Sequence, residues 1–298
     1  MVNYEFLKGT GVALITPFAA DKSIDYNGLE KVINHCIDGG VNYLVSMGTT
    51  GESVTLTKEE KQAVIRFTVK ITNDRIPIVI GIGGNNTAEL IEEIQIQDFT
   101  GISAILSSSP AYNKPSQEGI YQHYLSLEKV SPVPIIIYNV PGRTASNITA
   151  ETTIRLAHSS IKFAAVKEAS GDLAQATKIL KDRPDHFLVL SGDDPLALGL
   201  MGIGGDGVIS VIANVYPREF SKVISAAQNA DFAKAQYINL ALFDLHKWLY
   251  VEGNPVGVKA AAKALGLCQT YVRLPLIEMS QSNQEKLVEE MKKIREMV

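Results

Sequence analysis

Short apolar runs recur along the chain, each followed by a stretch whose apolar residues fall at helical spacing. The strand-like runs are Gly11–Thr16, Tyr43–Gly48, Pro77–Gly83, Ala104–Ser109, Pro134–Val140, Phe163–Glu168, Phe187–Gly192 and Gly207–Ile212. They are near-continuous in Val, Ile, Leu and Ala, without clean polar alternation. Strands buried on both faces of a parallel sheet look like this. Between them lie helix signals. Asp25 caps a helix with Leu29, Val32, Ile33, Cys36 and Ile37 on one face, stopped by Gly39-Gly40. Thr57 and Glu60 form a capping box ahead of Val64, Phe67, Thr68 and Ile71. Thr87 is the expected cap of the next helix, with Ile91 and Ile94 inward and Gly101 as its stop. Ser116, Thr149 and Asp172 are caps for three more, and Pro195 and Pro217 suit the first turns of two others.

Eight strand–helix repeats predict a closed (β/α)8 barrel, a TIM barrel, which takes about 250 residues as one unit. The rival, an open doubly wound sheet, needs a nucleotide fingerprint. The one GxGxxG match, Gly202–Gly207, precedes a strand instead of following one, so the context for a dinucleotide turn is missing. From about residue 226 the pattern is helical throughout, over Phe232–Tyr250, Val256–Leu265 and Asn283–Val298. The expected organisation is a barrel over 1–225 with a C-terminal helical region over 226–298.

Composition narrows the function classes. Of 298 residues, 46% are hydrophobic and 20% charged, ordinary for a globular chain with a large core. The net charge of -4, from 28 basic and 32 acidic residues without a basic stripe, argues against a nucleic-acid partner. No apolar run reaches about 18 residues, so no membrane span is expected. The start MVNYEFLKGTG has neither the charged start nor the apolar stretch of a signal peptide. Two cysteines, Cys36 and Cys268, with no CxxC, fit a reducing cytoplasm better than an oxidising compartment. His35, His123, His158, His186 and His246 are scattered without ligand spacing. They read as structural or solvated, and no metal site is expected.

Active sites of such barrels lie at the C-terminal strand ends. Lys167 closes the sixth strand, where alternation puts Phe163, Ala165 and Lys167 on one face. Burial lowers the pKa of a lysine, and an unperturbed one is only about 0.04% neutral at pH 7. A Schiff-base nucleophile needs that neutral amine. A snorkelling or salt-bridged lysine is the equal alternative on this strand alone. Tyr138, on the neighbouring strand with Ile136 and Val140, can carry protons, or it is a core tyrosine with one hydrogen bond. Arg143, in a Pro-Gly turn, offers a planar fork for a carboxylate, or bonds loop carbonyls. Thr49 and Thr50, between Gly48 and Gly51, supply donors for a second carboxylate, or only a tight turn.

The motifs GTTGES, SPAYNKP, YNVPGRT, VKEAS, SGDD and GVISV follow one another in order, between GVALITPF at Gly11–Phe18 and the Arg273–Leu276 run. Nearly end to end, the chain resembles the dihydrodipicolinate synthases, of the pyruvate-dependent class I aldolase group that also contains N-acetylneuraminate lyase. The resemblance implies an imine between Lys167 and pyruvate, with Tyr138 as proton donor and acceptor. It implies that Thr49 links Tyr138 to Tyr112 of a neighbouring subunit. Thr50, Gly192 and the backbone around Ile209 would hold substrate, and Arg143 the carboxylate of L-aspartate 4-semialdehyde. It implies no metal or organic cofactor, and a homotetramer built from two dimers. The runner-up is the sugar-acid lyase, which would lack the Pro-Gly-Arg-Thr run at 141–144. A catalytically silent ligand-binding barrel would lack Lys167 or Tyr138. Ser53, Asn85 and Glu89 resemble the lysine-binding allosteric pocket of inhibited members. Lys58 replaces a histidine common there, and Ala111 a tyrosine. A cationic ligand is repelled by the first and loses an aromatic wall with the second, so weak or absent feedback inhibition is expected.

Overall fold

The computed structural model describes residues 4–297; Met1–Asn3, and Val298 of the expected last helix, lie outside them. Among the described residues eight parallel strands close into a barrel in sequence order. They are β1 Gly9–Ala13, β2 Tyr43–Ser46, β3 Ile78–Gly81, β4 Ala104–Ser108, β5 Ile135–Asn139, β6 Phe163–Glu168, β7 Leu188–Ser191 and β8 Gly207–Ser210. All eight expected strands are present. Most are shorter than their apolar runs, because Leu14, Ile15 and Ile82 continue buried into loops that leave the ladder.

The helices after the first four strands are α1 Tyr26–Asp38, α2 Lys58–Thr72, α3 Thr87–Ile96 and α4 Gln117–Val130. A short α5 Pro141–Thr144 and α6 Ala150–Ser159 follow β5. Then come α7 Leu173–Asp182, α8 Asp194–Gly202 and α9 Pro217–Gln228. Asp25 accepts from the Gly28 amide, Thr57 and Glu60 form the capping box, and Ser116, Thr149 and Asp172 cap as expected. Thr87 does not cap α3. Asn86, another favoured cap residue, accepts from the Ala88 amide instead, and the Thr87 hydroxyl pairs with His123 Nδ1 at 2.8 Å. Gly101 is not the stop either: α3 ends at Ile96, and Gly101 sits further on in the loop at φ +75°. The eighth barrel helix runs a little past the expected boundary at 225, and α10 Phe232–Tyr250, α11 Val256–Ala264 and α12 Gln281–Met297 follow. No helix among the described residues is long and apolar enough to cross a membrane.

Two apolar clusters divide the core. The larger lies between strands and helices; the smaller fills the barrel interior with Val45, Val79, Leu106, Ile136, Ala165 and Leu190 among others. One strand departs from simple alternation. The β5–β6 register shifts between Ile135 and Ile136, so that Ile135 faces Phe163 while Ile136 faces Ala165. Ala164 is the extra residue of this bulge. As a result Phe163 does not share the face of Lys167; it belongs to the outer cluster, edge-on to Tyr124, while Ala165 stays inside.

Candidate active site

The β5–β6 register sets Tyr138 opposite Lys167 and Asn139 opposite Glu168. Alternation then separates the two pairs. Tyr138 and Lys167 occupy the top of the barrel interior, and the Lys167 ammonium nitrogen lies 4.4 Å from the centre of the tyrosine ring. Lys167 is 5% exposed, and no ion pair engages it among the described residues. The salt-bridged alternative is thereby removed. Behind the strands, buried Asn139 donates from Nδ2 to both Glu168 oxygens at 3.1 and 3.0 Å and to Asn147 Oδ1 at 2.8 Å. Glu168 also accepts from the Ser170 amide at 2.7 Å and Gln175 Nε2 at 3.0 Å, and Asn139 Oδ1 accepts from the Ile148 amide at 2.9 Å. Every oxygen of this network has a donor, so it can sit buried and fix the register without a penalty for unpaired groups.

Above the pair opens a cavity of about 800 Å³. Thr49, Thr50, Tyr138, Arg143, Lys167 and Gly192 all line it. Arg143 sits on the exposed rim in α5, whose first residue, Pro141, suits a helix start. Gly192 allows a close approach: a Cβ there would come 3.1 Å from Cγ and Cε of Lys167 and 2.6 Å from the Ala169 Cβ. Any larger residue would press on the Lys167 side chain.

Other expected residues fall elsewhere. The Ile209 side chain is in the inner cluster, while Val211, two residues on, reaches the cavity. Asp194 accepts from the amides of Val211 and Ile212 at 2.9 and 2.8 Å and so fixes the end of β8. Tyr112 does not line the cavity. It stands 90% exposed at φ +68°, its amide donating to the Thr144 carbonyl at 3.3 Å. Ser53, Asn85 and Glu89 are outside the cavity too. Asn85 Oδ1 accepts from the Ala111 amide at 2.7 Å, tying the loop after β3 to the segment that carries Tyr112.

The C-terminal helices contribute a wall that the sequence reading did not assign. Phe243, Asp244, His246, Lys247 and Tyr250 of α10 line the cavity, as does Asn254, which donates to Thr50 Oγ1 at 2.9 Å. Burial lowers the His246 pKa from its ordinary value, while the Asp194 carboxylate pushes it up. Burial, reinforced by Asp194, raises the carboxyl of Asp193. Burial and the nearby Asp194 and Asp193 charges raise the Tyr250 phenol. The available signal was the i, i+4, i+7 spacing that sets Phe243, Lys247 and Tyr250 on one face of α10.

A closed barrel with a buried lysine outside any ion pair among the described residues, a tyrosine beside it and a charged rim at the C-terminal strand ends defines the class, a (β/α)8-barrel enzyme. The profile of the Dihydrodipicolinate synthetase family matches residues 6–294, and the chain belongs to that family. A 4-hydroxy-tetrahydrodipicolinate synthase from Flavobacterium psychrophilum is 48% identical over 279 residues, covering 94% of this chain and 95% of the relative. The crystal structure of a dihydrodipicolinate synthase from Aquifex aeolicus superposes with a TM-score of 0.93 at 42% identity, covering 98% of this chain and 99% of that one. The chloride-inhibited dihydrodipicolinate synthase from Acinetobacter baumannii, complexed with pyruvate, gives a TM-score of 0.94 at 38% identity, with 98% and 100% covered.

Proposed function

We propose that this chain condenses pyruvate with L-aspartate 4-semialdehyde through an imine on Lys167, in the diaminopimelate and lysine route of its synthase relatives. The observation that carries the reading is the Lys167–Tyr138 pair: an amine free of carboxylate partners, over the face of the Tyr138 ring, in a cavity rimmed by Arg143. In this mechanism the amine adds to the keto carbon of pyruvate, and loss of water gives the imine. The methyl carbon then loses a proton, and the iminium nitrogen takes up the electron pair, leaving an enamine. That carbon attacks the aldehyde, whose oxygen gains a proton. The amino group of the joined chain displaces Lys167 from the imine carbon and closes the ring.

Tyr138 moves the protons of carbinolamine formation and dehydration. Thr49 passes them toward Tyr112 of a second copy of the chain, and the outward stance of Tyr112 supports that arrangement. Thr50, Gly192 and the β8 backbone near Ile209 hold pyruvate, and Arg143 takes the acceptor carboxylate. The reading carries a homotetramer built from two dimers. It also carries a cytoplasmic location, supported by the two buried free thiols, Cys36 and Cys268. Residues 1–225 and 226–298 act as one catalytic unit, since both line the cavity.

Borohydride reduction in the presence of pyruvate, followed by peptide mapping, is expected to place a pyruvyl adduct on Lys167. An adduct on another lysine, or on none, overturns the mechanism. Turnover with N-acetylmannosamine and not with the semialdehyde overturns the choice of acceptor.

A further inference from the structure

The turn that carries Thr49 and Thr50 is short and irregular. It is a single 3-10 turn, Thr49–Gly51, followed by Glu52 at φ 52°, a left-handed conformation that costs a residue with a side chain about 1 kcal/mol or more. Its own bonds are few: the Gly51 amide to the Gly48 carbonyl at 3.1 Å and the Glu52 amide to the Thr49 carbonyl at 3.0 Å. Near at hand, Thr16 Oγ1 donates to the Gly51 carbonyl at 2.7 Å, and the Thr55 amide and hydroxyl donate to the Glu52 carbonyl at 2.9 Å; the other anchors come from far along the chain. Glu52 turns its carboxylate inward, where it is buried. Oε1 lies 2.5 Å from Nζ of Lys259 on α11, and Oε2 accepts from the Arg273 amide at 3.0 Å. Lys259 is wholly buried; its ammonium also donates to the Tyr271 carbonyl at 2.8 Å and lies 4.1 Å from the centre of the Phe18 ring. Four residues past the end of α10, Asn254 donates to the Thr50 hydroxyl of the same turn at 2.9 Å.

Stability does not explain this pair. A buried ion pair replaced by apolar residues of like size is often neutral or stabilising. What an apolar contact lacks is direction. The carboxylate of Glu52 is fixed at both oxygens, and through one residue of backbone so is the turn beside it.

We propose that Glu52 and Lys259 are positioning residues of the active site, an ion pair by which the C-terminal helices set the Thr49–Gly51 turn in the geometry that receives the carboxylate of pyruvate. Neither residue lines the cavity; they act through the turn. The inference rests on the pyruvate-imine reading above.

The test compares Glu52→Gln, Lys259→Met and the double variant. Each single change leaves a buried charge without its counter-charge and lowers the unfolding midpoint. The double variant removes both charges and recovers most of that loss. In the double variant the pyruvate KM is expected to stay raised at least about tenfold while the semialdehyde KM stays within about twofold of the unaltered protein. Amide exchange at residues 50–53 is expected to quicken while that of the barrel strands is unchanged. A double variant that regains the pyruvate KM along with its midpoint makes the pair a structural staple and overturns the inference. Glu52→Gln, close to isosteric, carries the same KM expectation should the double variant not fold. Borohydride trapping on the unaltered protein separates the two levels. Trapping at Lys167 with a normal pyruvate KM in the variants defeats the positioning role alone; failure to trap defeats the imine reading and this inference with it.

Discussion

Lys167, at the mouth of the barrel, and Lys259, at the seam with the C-terminal helices, are both almost out of reach of water. Their surroundings are opposite. Lys259 has a carboxylate at 2.5 Å, a carbonyl at 2.8 Å and an aromatic face, and Glu52 and its hydrogen bond counter the burial that lowers its pKa. Lys167 has only the Tyr138 ring, with no ion pair among the described residues and an 800 Å³ cavity above it. A buried lysine surrounded by partners is held in one position; one given a cavity instead is open to a ligand.

The contrast can be broken most directly by removing each amine. Lys167→Ala is expected to lower kcat at least about a thousandfold and abolish borohydride trapping. Its unfolding midpoint should move by no more than about 3 °C, since no buried partner is left behind. Lys259→Met should do the reverse for stability, losing about 3–5 kcal/mol in urea titration because the Glu52 charge is stranded. Equal stability losses in the two variants would erase the distinction. Arg143→Ala sharpens it on the substrate side. The semialdehyde KM should rise about 10- to 100-fold, the worth of a charge-assisted hydrogen bond of roughly 1.5–3 kcal/mol, with the rate of pyruvate imine formation unchanged.

A third buried group separates pH effects on stability from both lysines. Burial holds the His123 imidazole down to about 4, below its ordinary 6.5. Between those values the unfolded chain binds a proton that the folded one does not, so stability falls as the pH drops from about 6.5 to 4 and is constant above. His123→Leu should flatten that fall by up to about 3 kcal/mol in denaturant titrations run across the window. The smallest expected effect is none: micromolar L-lysine should leave the rate unchanged. Lys58→His combined with Ala111→Tyr should introduce sensitivity, and inhibition of the unaltered protein at that concentration would contradict the role given to Lys58.

The barrel was legible because its strands are buried on both faces and leave unbroken runs of Val, Ile, Leu and Ala. Their ends were less so, since Leu14, Ile15 and Ile82 stay buried after the ladder stops. Asn86 and Thr87 are both good caps, and sequence alone does not say which hydroxyl or amide a neighbouring helix will claim; His123 on α4 claims Thr87. The bulge at Ala164 left Lys167 inside but moved Phe163 out, a register choice made between strands and invisible along one. At the site, Lys167, Tyr138, Thr49, Thr50, Arg143 and Gly192 meet around one cavity as their strand-end positions implied. His246 and Tyr250 were missed because the helical spacing of α10 does not say which of its faces meets the barrel mouth; its packing against α8 and α9 decides that.

The Asn139–Glu168 network lies wholly on the outer side of the two strands whose inner side carries Tyr138 and Lys167. Attachment and reactivity are therefore written on alternate residues of the same strands. Residues lining the cavity can be exchanged without touching the hydrogen bonds that align the two strands. New acceptors can be explored along the α10 wall while the amine and phenol keep their places. Such a scaffold passes intact from one chemistry to the next, and only its lining has to be rewritten.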